Sequence, residues 1–101
     1  MKKELPKLTK TELNRLRKKF PAWNIDAQAK KAVLTLSFKR HVDALVCIAR
    51  ISVHAEVLQH FPEILFTKAR LKITTNSNAK LTNLDSELMK RVEHVIKKGD
   101  K

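Results

Sequence analysis

The stretch HAEVLQHFP, residues 54–62, sets a carboxylate and an imidazole one helical turn apart, with a proline two residues further on. Ser52, Glu56 and His60 lie four apart, so on a helix their side chains line up along one face. A carboxylate one turn before an imidazole can hydrogen-bond the ring and orient it. Histidine changes charge close to neutral pH, so a ring held in place can give or take a proton during a reaction. The plainer reading is that His60 caps the last carbonyls of a helix, as basic side chains do. Spacing alone leaves both open.

Other chemistries have less support. His41, His54 and His94 make no metal-ligand spacing with Cys47 or with nearby carboxylates, so no metal site is expected. Cys47 is the only cysteine, which excludes an intrachain disulfide; in its apolar run it reads as an inert buried thiol. No serine or cysteine sits in a glycine-rich elbow, and one glycine in the chain argues against phosphate-cradling loops.

The elements that must position His60 can be read from patterning. In LTKTELNRLRKKF, Thr9 and Glu12 form a capping box, Leu13, Leu16 and Phe20 recur at helical spacing, and Pro21 stops the helix. AWNID and AVLTLSF alternate as strands, with Trp23 and Ile25 on one face and Leu34, Leu36 and Phe38 on another. From His41 to His60 the periodicity predicts the longest helix, ended by Phe61 before Pro62. One stripe of it is Val42, Leu45, Ala49, Val53 and Val57, while Val46, Ile48, Ile51, Ala55 and Leu58 spread apolar surface round the cylinder. So apolar a helix implies an oligomer contact, expected to include Val46, Ile48 or Ile51. EILFT and ARLKITT predict a second strand pair, and LTNLDSELMKRVEHVI a third helix with Thr82 as N-cap and Asp85 three residues on.

The order α-β-β-α-β-β-α predicts a two-layer α+β fold, a four-stranded antiparallel sheet with three helices on one face. The sheet's other face, with Thr35, Ser37, Lys72 and Thr74, is left wet or open to a partner. Residues 1–101 read as one domain, with about 1–6 and 98–101 flexible. The basic start lacks the apolar run of a signal peptide and no segment is long enough for a membrane span, so a cytoplasmic protein is expected. Net charge is +12, but it is spread over Lys10, Arg15, Arg17, Lys18 and Lys19, the C-terminal lysines and positions near strands. With few aromatic residues to stack bases, a solvated basic surface is preferred over a nucleic-acid footprint.

The whole pattern resembles the pterin-4a-carbinolamine dehydratases. AEVLQHFPEI is similar to that family's Glu-x-x-x-His-His-Pro signature, LTNLD to its later Leu-Thr-x-x-Asp, and LTKTELNRLRKKFPAWNID to its opening helix and first strand. The resemblance implies the same fold, a homodimer or homotetramer, and dehydration of 4a-hydroxytetrahydropterin without metal or organic cofactor. It implies His60 and Glu56 as catalytic, Glu56 orienting the ring, with Trp23, Phe61, Pro62, Asn78 and Asp85 around the pterin. Two of the family's three histidines are replaced, by Phe61 and Asn78, neither of which can titrate. The resemblance therefore implies a degraded, slow dehydratase. The alternative is a non-catalytic interaction or assembly factor on the same scaffold, such as the Rubisco assembly factor of α-carboxysomes, whose Phe-Pro-acidic-Ile-x-Phe pattern FPEILF is similar to.

Overall fold

Thr9 opens helix α1 (Lys10–Lys19) with the reciprocal bonds of a capping box. Its hydroxyl accepts from the Glu12 N–H at 3.2 Å, and the Glu12 carboxylate accepts from the Thr9 N–H at 2.8 Å. Arg17, Lys18 and Lys19 occupy the last turn, where the helix dipole favours cations, and the Phe20 N–H closes it on the Leu16 carbonyl. The structure, a computed structural model, describes residues 5–99. The flexibility expected of the two ends falls mostly on residues 1–4, 100 and 101, which lie outside the described residues.

Four strands follow the expected pairing: β1 (Asn24–Ile25), β2 (Ala32–Ser37), β3 (Glu63–Thr67) and β4 (Arg70–Thr75). They form one antiparallel sheet in the order β1-β2-β4-β3, so the two hairpins join through their second strands. Register puts Leu34 and Ile64 opposite Ile73, and Leu36 and Phe66 opposite Leu71, which gathers the apolar side chains on one face. On the other face Thr35, Ser37, Arg70 and Lys72 are exposed.

Helices α1, α2 (His41–Leu58) and α3 (Asn83–Gly99) complete a two-layer α+β fold in the expected order. Leu34, Ile51, Leu71, Ile73, Leu88 and Val92 lie at the centre of the core. Of the three residues expected at an oligomer contact, Ile51 is fully buried in its own chain and so faces no partner, whereas Ile48 is half-buried and Val46 exposed. Cys47 is buried beside them, and burial pushes its thiol up, with Arg50 opposing. No helix among the described residues is long and apolar enough to cross a membrane.

Helix α2 ends two residues earlier than its patterning implies. Gln59 turns left-handed at φ 54°, and the His60 N–H bonds the Ala55 carbonyl at 3.1 Å. This is a left-handed C-terminal cap made without glycine. Its consequence is that His60 no longer belongs to the helix.

Candidate active site

Because α2 has ended, the imidazole of His60 does not stack on Glu56. Glu56 is exposed, and the side chain it meets is Gln59, whose amide donates to the Glu56 carboxylate at 3.3 Å and to its carbonyl at 2.9 Å. The His60 ring instead reaches the start of α3, where Nε2–H donates to Asp85 Oδ1 at 2.6 Å. The expected orienting role of Glu56 thus falls, in geometry, to Asp85. Nor does the imidazole cap carbonyls; only the backbone N–H of His60 does.

Asp85 reaches this place through its own helix start. Thr82 is the N-cap: its hydroxyl accepts from the Leu84 N–H at 3.3 Å, and the Asp85 carboxylate reaches back to the Thr82 N–H at 2.9 Å. The carboxylate is fully buried, so it needs hydrogen bonds from every side. Thr75, at the end of β4, donates to Oδ1 at 2.5 Å, and Ser77 donates to Oδ2 at 2.7 Å. The Ser77 hydroxyl also lies 3.0 Å from Thr82 Oγ1 and 3.5 Å from His60 Nε2. Every buried side-chain polar atom among the described residues has a partner.

His60 lies on the wall of a cavity of about 630 Å³, with Phe61, Asn76, Ser77, Asn78 and Thr82. Its Nε2 is taken by Asp85, which leaves Nδ1 for a bound molecule. Phe61 is 61% exposed and shared with a smaller neighbouring cleft that includes Glu56 and Pro62. Asn78 stands in a left-handed turn, as asparagine tolerates, on the loop between β4 and α3. Of the seven residues singled out from the sequence, His60, Phe61 and Asn78 share the cavity, Asp85 backs it, and Glu56 and Pro62 sit beside it. Trp23 is elsewhere, buried in the core with its indole N–H donating to Glu93 at 3.1 Å. Thr75 and Ser77 are new to the site. Two hydroxyls two residues apart at a strand end carry no signal until Asp85 is placed between them. Among the described residues no three His, Cys, Asp or Glu side chains gather as a metal would require.

These features define a two-layer α+β protein with a histidine–carboxylate pair in a pocket at the junction of α2, β4 and α3. The family model described as pterin 4 alpha carbinolamine dehydratase matches residues 6–95, and the chain belongs to that family. Among solved structures, a transcriptional coactivator/pterin dehydratase from Brucella melitensis is similar in fold, with a TM-score of 0.82 at 22% identity. The alignment covers 89% of this chain and 98% of that one. No curated protein matches the sequence.

Proposed function

We propose that the protein dehydrates a 4a-hydroxytetrahydropterin with a reduced acid–base site centred on His60. In the reaction an acid gives a proton to the departing C4a hydroxyl and a base takes the N5 proton, so that in net OH and one hydrogen leave as water and quinonoid dihydropterin remains. The observation that carries the reading is the buried Asp85 holding His60 Nε2 at 2.6 Å on the cavity wall. This fixes the ring and its tautomer, so that Nδ1 takes the N5 proton or gives one to the departing hydroxyl. Phe61 supplies a face against which a flat heterocycle can stack, and the Asn78 amide supplies hydrogen bonds at its edge. Neither moves a proton. Each missing acid or base costs a factor of about 10² to 10⁴ in rate, so one ring is expected to work slowly.

A second reading is favoured by Phe61 itself. An aromatic ring 61% exposed, where the family signature has histidine, suits contact with a protein partner in an assembly role. The test is turnover of a 4a-hydroxytetrahydropterin generated in place, measured against its spontaneous dehydration. Phe61→His with Asn78→His should restore much of the missing rate, more than either change alone, and His60→Ala should abolish the gain. Wild-type turnover already at ordinary dehydratase levels would show that Phe61 and Asn78 do not limit the site. No gain in a folded double variant would favour the assembly role.

A further inference from the structure

Most of the basic side chains are spread over the surface, but three converge on a cleft between α1 and α3. The Leu8 N–H donates to the Leu81 carbonyl at 2.8 Å, which pins the start of α1 beside the start of α3. From there the two helices border a cleft of about 210 Å³ whose floor is Leu8, Leu16 and Phe20, all buried. Glu12, Arg15 and Lys19 line it at steps of three and four along α1, and Asn83, Ser86 and Lys90 at the same steps along α3. Three cations against one carboxylate leave a net charge of +2. The Glu12 carboxylate is turned to its own helix start, where it accepts from the Thr9 N–H at 2.8 Å. Lys19 Nζ stands 5.6 Å from the centre of the Phe20 ring, above the floor. Arg15 and Lys90 make no ion pair or hydrogen bond among the described residues.

We propose that this cleft binds a small phosphate monoester carried on one ring or a short carbon chain. Such a group holds a charge of about −1.5 to −2 at neutral pH, close to what the lining leaves unbalanced. A carboxylate would leave one positive charge unmatched. Arg15 can take two phosphate oxygens with its planar fork, and Lys19 and Lys90 supply point charges beside it. Asn83 and Ser86 offer neutral donors to the remaining oxygen. The buried floor takes the carbon part. A cavity of about 150 Å³ holds benzene, so this one has room for a ring and its phosphate and little more, which selects a free small molecule over a polymer chain. None of these side chains lines the cavity of His60, so the site is independent of the proposed dehydration.

Phenyl phosphate is the probe, titrated into the isotope-labelled full chain and followed by NMR at about 0.15 M salt, where long-range attraction is screened. Backbone signals of Arg15, Lys19 and Ser86 should shift, while those of Phe61 and Ser77 stay still. The probe should bind about tenfold tighter than inorganic phosphate, which lacks the ring, and about tenfold tighter than benzoate, which lacks the second charge. Arg15→Gln with Lys90→Gln should weaken it about tenfold or more. Arg70→Gln with Lys72→Gln, which removes the same charge from the open sheet face, should weaken it less than about twofold. All four positions are exposed, so both double variants keep the fold. Equal losses from the two would mean attraction to net charge alone and overturn the site. Shifts confined to Phe61 and Ser77 would put the probe in the cavity of His60 and overturn it too, as would no shift at millimolar probe. Benzoate binding as tightly as phenyl phosphate would overturn the choice of a dianion.

Discussion

Asp85 is the residue on which helix start and site converge. Its two oxygens accept from the His60 ring, the Thr75 and Ser77 hydroxyls and the Thr82 N–H. Asp85→Ala leaves these donors facing a void, and a buried group without its partner costs about 1–3 kcal/mol. The loss for the whole set should be about 3–5 kcal/mol, read as a lower urea midpoint with an unchanged slope. Ser77→Ala should cost less, about 1 kcal/mol, because the His60 ring, Thr75 and Thr82 still hold the carboxylate. If His60 carries the reaction, both changes should lower turnover by more than they lower stability. At the other end of the reactivity scale, burial raises Cys47, so its thiol stays neutral around pH 7 and shielded from reagents. Thiol-specific labelling should be slow in the native protein and fast in denaturant. Unfolding frees the thiol to ionise at its ordinary, lower value, so Cys47 contributes stability that is lost as pH rises through its folded value. A destabilising slope on the alkaline side is expected, smaller in Cys47→Ala.

At the scale of elements, the sequence shows most of the fold and half of the site. The capping box at Thr9 and the N-cap bonds of Thr82 with Leu84 and Asp85 are local, made within four residues, and both sets are formed. Alternation in AVLTLS and RLKITT sets the buried face, because a strand's period is fixed at two. What could not be read is the end of α2. Its stop rests on a left-handed Gln59, and glutamine gives no signal there comparable to glycine or asparagine. That one turn moves His60 off the Glu56 line and toward Asp85, 25 residues along the chain. A helix pattern can name the carboxylate that caps α3; it cannot say which side chain from another element will meet it. Asp85→Glu separates the two duties. A capping box accepts glutamate, so α3 should still start at Asn83, but the longer side chain displaces the oxygen that holds His60. Overpacking there should cost about 1–3 kcal/mol, and the His60 ring should lose its fixed position. The NMR signals of the imidazole would report this: one tautomer in wild type, an averaged pair in the variant. A variant that keeps the wild-type ring signals would show that Asp85 does not set the tautomer.

The whole molecule carries a charge of +12, and its basic groups surround the fold instead of forming one site. Lys10, Arg15, Arg17, Lys18 and Lys19 lie along α1, Arg70 and Lys72 on the open sheet face, Lys90 and Lys97 on α3. Base recognition in a single strand needs aromatic faces next to such cations. Here Phe20 and Trp23 are buried in the core, and Phe66 is half-buried against the His41 ring at 4.8 Å. Phe61 is the one aromatic side chain largely exposed among the described residues, and it lies by the cavity. Attraction to a nucleic acid therefore rests on charge alone, and each neutralised phosphate releases a counterion, so affinity falls by a power of the salt concentration. Fluorescence anisotropy with labelled single- and double-stranded oligonucleotides should give weak binding at low salt that disappears by about 200 mM, as for non-specific contacts. Unrelated sequences should bind alike. A dissociation constant near 10⁻⁸ M at physiological salt for one sequence over others, the range of specific recognition, would show that the basic surface reads bases and that the solvated-surface reading is wrong.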